Sequence, residues 1–293
     1  MSREYPPQMK HFSENHPLQA SFVLILTAFL LRILDVFMIR SDELFGEQVL
    51  TKVVVLILII AYTRSVKGNL DCIGLHAIRW QISVTLGLLV MAPGLIFGYG
   101  VEWLYLYLTG ESPRLFIAAQ GHTLIPESAA TGGFFFVLIL CSGNIVNSFM
   151  EEGLFRGILI THMGSRMSLM KANLIQASLF GIWHIVWPIR DYLDGRTDLL
   201  TVVGMSAGYI LLSGMIGFAW GYFYQKTNSL WASWSAHTLN NTIMNFFHIT
   251  TASGMPSTLG LRVAVITLIV VGLLPLFRKV SASRNMPEVI TWT

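Results

Sequence analysis

Glu151, Glu152 and Arg156 stand together in Ser-Phe-Met-Glu-Glu-Gly-Leu-Phe-Arg-Gly, residues 148 to 157, inside a stretch otherwise apolar enough to lie in a membrane. An ionisable side chain at the centre of a bilayer costs about 2.5 to 3.5 kcal/mol even on lenient insertion scales, so such a cluster implies internal partners or a chemical task. On a helix, Glu152 and Arg156 lie one turn apart with the carboxylate on the N-terminal side, the favourable order for an ion pair. Glu151 is rotated by about 100° from Glu152 and about 140° from Arg156, so it is not the natural partner of the guanidinium. One acid is held and the other is free to exchange a proton. The structural alternative is that both carboxylates share Arg156 and pin this helix to its neighbours. Gly153 and Gly157 would let another helix or a substrate backbone come close.

Two later apolar segments carry His184 and His237 in their interiors. His184 follows Phe180 by one turn in Ser-Leu-Phe-Gly-Ile-Trp-His-Ile, with Trp183 and Trp187 expected near a membrane interface. Phe180 would line the surroundings of His184. Taken alone, a histidine here is more often a hydrogen-bonded packing residue than a catalyst. His237 and Asn241 share a helical face and could present two hydrogen-bond donors together. Asn245 and His248 approach the far end of that segment and are weaker candidates. One intramembrane polar cavity could gather Glu151, His184 and His237. A two-histidine, one-carboxylate set of this kind also resembles a zinc hydrolase site, although no HExxH pair is present.

The elements that must position these residues follow from composition. With 54% hydrophobic and 12% charged residues and a mean hydropathy of +0.61, the 293-residue chain has too little polar surface for a soluble globule. The expected fold is an all-α polytopic membrane protein, a bundle of about eight transmembrane helices. Apolar runs long enough to cross a bilayer lie at 18–39, 47–63, 80–108, 133–162, 168–187, 199–224, 229–250 and 259–277. The first lacks a small-residue cleavage site and reads as a retained anchor. Three regions follow: spans one to three at 1–132, a motif-bearing core of spans four to seven at 133–250, and a last span with its tail at 251–293.

Loop charges alternate in kind. Arg3, Lys10, Arg64, Lys67, Arg79, Arg166, Lys171, Lys226, Arg278, Lys279 and Arg284 form a basic series. Asp42, Glu43, Glu47, Glu111, Glu127, Asp191, Asp194 and Asp198 dominate the other, relieved by Arg40, Arg114, Arg190 and Arg196. The positive-inside rule then places both termini in the cytoplasm, as an even number of spans requires. Cys72 and Cys141 suit neither a disulfide framework nor a thiolate metal site. Gly204, Gly208, Gly214, Gly217 and Gly221 suit close helix packing in lipid. Pro93, Gly94, Gly98 and Gly100 interrupt the third span, where a bend could shape a substrate entrance.

Glu151-Glu152-x-x-x-Arg156, then Phe180-x-x-x-His184, then His237-x-x-x-Asn241 resembles, in order and spacing, the CAAX protease and bacteriocin-processing family of intramembrane glutamic endopeptidases. Each motif is weak alone, but three in order on three spans form a specific pattern. The resemblance covers about residues 133 to 250 and leaves the first three spans unconstrained. It implies hydrolysis of a peptide bond in a membrane-associated protein or peptide, in a bacterial plasma membrane, without metal or other cofactor and without nucleic acid. Carried over, Glu151 and His184 activate water, His237 and Asn241 stabilise the oxyanion, and Glu152 with Arg156 supports the first carboxylate. The alternatives are a catalytically silent scaffold or immunity protein that binds a peptide in the same cavity, or a zinc-dependent intramembrane protease. A transporter relaying protons through Arg32, Asp35 and Glu151 is a further possibility, without the paired broken helices that would encourage it.

Overall fold

The computed structural model describes residues 7–45, 48–119, 134–287 and 289. Helix α1 (Pro7–Asn15) leads into α2 (Pro17–Ile33), which continues as a π-helical stretch, Leu34–Ile39. A short α3 (Ser41–Phe45), α4 (Val49–Lys67) and α5 (Trp80–Leu108) follow. After strand β1 (Arg114–Ile117), α6 (Phe134–Glu152) passes through a second π-helical stretch, Gly153–Ile160, into α7 (Thr161–Gly164). Then come α8 (Leu169–Trp183), α9 (Val186–Leu193), α10 (Leu199–Thr227), α11 (Leu230–Phe246), strand β2 (Phe247–Thr250), α12 (Leu259–Gly272) and α13 (Leu274–Ser283).

All eight expected segments contain helix, and the chain is a polytopic, predominantly helical integral membrane protein. Among the described residues, Pro17–Ile39, Val49–Lys67, Trp80–Leu108 and Leu199–Thr227 are long and apolar enough to cross a bilayer by themselves. Leu259–Gly272 with Leu274–Ser283, bent by 43°, makes a fifth if taken as one span. Of the eight expected spans, four or five meet that criterion among the described residues. α8 and α11 have 15 and 17 residues, fewer than the roughly 20 that span the hydrocarbon core.

Two expected helix ends are displaced, each for a local reason. The fifth segment stops at Trp183 rather than 187, because Pro188 can neither bond to the carbonyl of His184 nor avoid it, and so falls in the first turn of α9. The seventh stops at Phe246, where Phe247 turns extended (φ −112°, ψ 117°). Phe247–Thr250 then pairs antiparallel with Arg114–Ile117, in register from Ile117 opposite Phe247 to Arg114 opposite Thr250. Aromatic and β-branched residues favour that pleated surface.

α5 continues as helix through Pro93, and Gly94 and Gly98 face Ile266, Val270 and the carbonyl of Arg262 on α12. Those small residues therefore serve helix packing. Gly217 and Gly221 do the same on α10, since a Cβ on Gly221 would fall 1.9 Å from Asn173 Oδ1 on α8. Gly214 makes a looser approach, and Gly204 and Gly208 have open space around them, so the packing expectation holds for only part of the series. Gly157 lies against Ile73 and Gly153 against Ile59, which assigns their surfaces to other parts of the chain rather than to substrate.

The two loop series gather at opposite ends of α4. At one end, Lys67 pairs with Glu14, Arg166 donates to the carbonyl of Asn15, and Arg79 donates to the carbonyls of Arg284 and Asn285. At the other, Arg190 is bidentate to Asp42 at 2.8 Å and bonds Glu43 at 2.7 Å, while Arg40 meets Asp194 at 2.5 Å. Arg3, Glu47 and Glu127 lie outside the described residues.

Candidate active site

The centre is assembled from α2, α6, α8 and α11. Arg156 Nη1 donates to Glu152 Oε1 at 3.1 Å, the one-turn pair that helical spacing predicts, and both side chains are fully buried. Arg156 also donates to the carbonyl of Gly217 and lies 4.3 Å from the centre of the Phe180 ring. Phe180 therefore does more than line His184, because it covers the ion pair's cation and touches His237 edge-on.

His237 Nδ1 lies 2.8 Å from Glu152 Oε1, and its Nε2 lies 3.7 Å from Glu151 Oε2. A carboxylate only accepts, so Nδ1 carries a proton. Trp220 stacks on the imidazole at 4.2 Å and fixes its plane. Glu152 thus contacts His237 directly, in addition to Arg156, with which the resemblance pairs it in support of Glu151. Nε2 is the nitrogen left for chemistry, and it donates a hydrogen bond only when the ring is an imidazolium held between the two carboxylates.

Glu151 has different partners. Its Oε1 accepts from Trp183 Nε1 at 2.9 Å and faces Arg32 Nη1 at 3.8 Å. Arg32 in turn lies 4.5 Å above the Trp183 ring. Trp183, expected near an interface, is instead buried inside the site. Arg32 and Trp183 are the contacts of Glu151 that motif spacing missed. The signal for Arg32 was present as a lone cation in the first apolar run, but nothing in the linear sequence ties it to Glu151, over a hundred residues away. Asp35 is a different case: its two oxygens accept from the backbone and hydroxyl groups of Ser41 and Thr51, which makes it a cap between α2, α3 and α4.

His184 occupies the C-cap of α8, and its Nδ1 donates to the carbonyl of Phe180 at 2.7 Å, one of the acceptors that a helix end leaves free. That bond fixes the neutral tautomer with an Nε2 lone pair. The ring stacks with Tyr209 of α10 and lies within Coulombic reach of Glu151, His237 and Arg32. Asn241 is half-buried one turn beyond His237, and its Oδ1 accepts from Asn240 at 3.3 Å. The structure thus links Glu151, Glu152, Arg156 and His237 by direct contact, with His184 beside them and Asn241 one turn above. Among the described residues, no set of three His, Cys, Asp or Glu side chains is gathered as a metal site.

Comparison with known families identifies the region that holds this centre. A family model described as type II CAAX prenyl endopeptidase Rce1-like matches residues 133–243. Residues 133–243, less than half of the chain, are thus similar to the Rce1-like family. The match embraces every motif residue from Glu151 to Asn241. It leaves out Arg32, so the Rce1-like region takes one of its close charge contacts from a helix that the family model does not cover. No curated protein and no solved structure matches the chain.

Proposed function

We propose that the protein is an intramembrane endopeptidase of the glutamic type, acting on a membrane-associated protein or peptide. The observation that carries this reading is the division of two adjacent carboxylates. Glu152 is committed to Arg156 and His237, while Glu151 faces His237 Nε2 and keeps oxygen capacity to spare. Water bound at Glu151 loses a proton to that carboxylate, with His184 Nε2 able to share it, as its oxygen attacks the scissile carbonyl carbon. The carbonyl π electrons move onto oxygen, and the resulting oxyanion receives hydrogen bonds from His237 and Asn241. When the C–N bond breaks, the proton held by Glu151 passes to the leaving nitrogen, giving a new carboxyl group and a new amine. No step requires a metal ion, and a strong chelator should leave cleavage intact.

The basic end of the bundle, with both termini, is assigned to the cytoplasm and the membrane to a bacterial plasma membrane. The test compares terminal peptides by mass spectrometry from membranes of cells carrying the wild type or Glu151→Gln. New termini confined to the wild type support the reading. Identical terminal peptides, together with full complementation by Glu151→Gln, would replace it by a peptide-binding scaffold.

A further inference from the structure

α6 and α11 run antiparallel in a register fixed by two contacts. Glu152 meets His237 at 2.8 Å, and eight residues earlier on α6 Asn144 Oδ1 accepts from Asn245 Nδ2 at 2.9 Å, eight residues later on α11. Midway, the same register sets Ser148 level with Asn241. Each helix thus contributes a polar residue at every fourth position, 144, 148 and 152 on one and 237, 241 and 245 on the other, which is one helical face apiece. Glu152, Ser148, Asn144, His237 and Asn245 are all buried. The line goes on to His248 in β2, whose Nε2 shares its proton between the carbonyls of Asn245 and Ala118. Phe149 stacks on Trp234 along one side.

Polar contacts between membrane helices are ordinarily glue. Glue accounts for the Asn144–Asn245 bond but leaves the rest of the seam unexplained. Among the described residues, Asn144 Nδ2, Glu152 Oε2 and Thr238 Oγ1 have no hydrogen-bond partner. The Ser148 hydroxyl gives its proton to the carbonyl of Asn144 and keeps its lone pairs. A dry buried donor or acceptor forfeits the hydrogen bonds it would make to water, and several such groups lie along this one seam. Internal water with two to four polar partners removes that cost. Successive layers are about 6 Å apart along the helix axes. Hydrolysis, moreover, consumes one water per bond in a place surrounded by apolar side chains.

We propose that the α6–α11 seam holds a file of water that reaches Glu151 from the end of the bundle where β1 and β2 lie. This rests on the hydrolytic reading above, and its test does not need a substrate. Radiolysis makes hydroxyl radicals from bound water, and these oxidise neighbouring thiols. Ser148 and Ser233 form a matched pair: each is fully buried, and each donates to a carbonyl of its own helix, but Ser233 sits outside the seam. S148C and S233C are purified as monodisperse protein in lipid discs and their oxidation is followed by mass spectrometry. S148C should oxidise on the order of tenfold faster, and adding Asn144→Leu and Asn245→Leu should bring it down to the rate of S233C. Equal slow oxidation of the two thiols overturns the inference even if the wild type cleaves protein. Fast oxidation of S148C stands even if Glu151→Gln proves active, a result that would overturn the proteolytic mechanism alone.

Discussion

At the scale of residues, the two glutamates differ only in their partners, and the partners define different expected losses. In the proposed mechanism Glu151→Gln removes the proton acceptor and should abolish cleavage. In the same mechanism Asn241→Ala removes one donor to the oxyanion, which typically lowers the rate by about 10² to 10³. Parallel turnover assays on the substrate identified by its new terminus would overturn the assignment if the asparagine variant were the more defective. Arg32 lies against Glu151 and Trp183, so in the proposed mechanism it acts on the base rather than on substrate. Arg32→Gln should therefore lower kcat by about tenfold or more with KM little changed, and Arg32→Lys should recover part of the loss, as befits one interaction of a buried charge. A rise in KM alone would place Arg32 in binding instead. The separation of Glu151 from Glu152 and Arg156 was legible in the sequence because it depends only on a helical repeat over six residues. The bond from Glu152 to His237 and the stacking of Arg32 on Trp183 were not, because they depend on how helices far apart in sequence rotate against one another.

At the scale of elements, hydropathy located helix in every expected segment but misjudged where α8 and α11 end. Those two ends carry or adjoin the site, and there backbone geometry, set by Pro188 and by the turn into β2, overrides apolar character. A run of hydrophobic residues reports burial in lipid or protein; it does not report the hydrogen bond that fails to form. Glycine spacing was a partial guide for the same reason, since it records where a helix is thin and not which thin place is occupied. Gly181 is occupied: a Cβ there would fall 2.4 Å from the carbonyl oxygen of Ile210, a backbone atom that cannot swing away. Gly181→Ala should lower stability by about 1–3 kcal/mol through overpacking between α8 and α10. Gly208 has nothing within 4 Å, so Gly208→Ala should be neutral or stabilising by up to about 1 kcal/mol through helix propensity. Thermal unfolding of the two variants in one detergent checks the contrast, and equal effects would contradict the packing.

At the scale of the whole molecule, the ion cluster opposite the basic end ties α2 and α3 to α9, and so holds Arg32 and Trp183 in place from beyond the membrane spans. Arg190 is its centre, buried and bidentate to buried Asp42. Arg190→Leu strands that carboxylate and should cost about 3–5 kcal/mol, read as a lowered Tm. The exposed rim of the cluster responds to acid instead. Burial alone would raise the Asp194 carboxyl, but the hydrogen bond and charge of Arg40, with Arg196 and Arg190, outweigh it and hold the group below the usual carboxylate range. A carboxyl depressed in the folded state contributes stability that is fully present above its unfolded pKa of about 3.9 and is lost as pH falls through the lower folded value. The contribution is small, because the pair is near solvent and screened by salt. Tm should accordingly be insensitive to Asp194 titration from about pH 8 to 5 and decline below about pH 4, with the Asp194→Asn protein starting lower and losing less over that acid limb. If the two proteins lost Tm in parallel below pH 4, the acid sensitivity would belong to other carboxylates, and the clasp would rest on Arg190 and Asp42 alone.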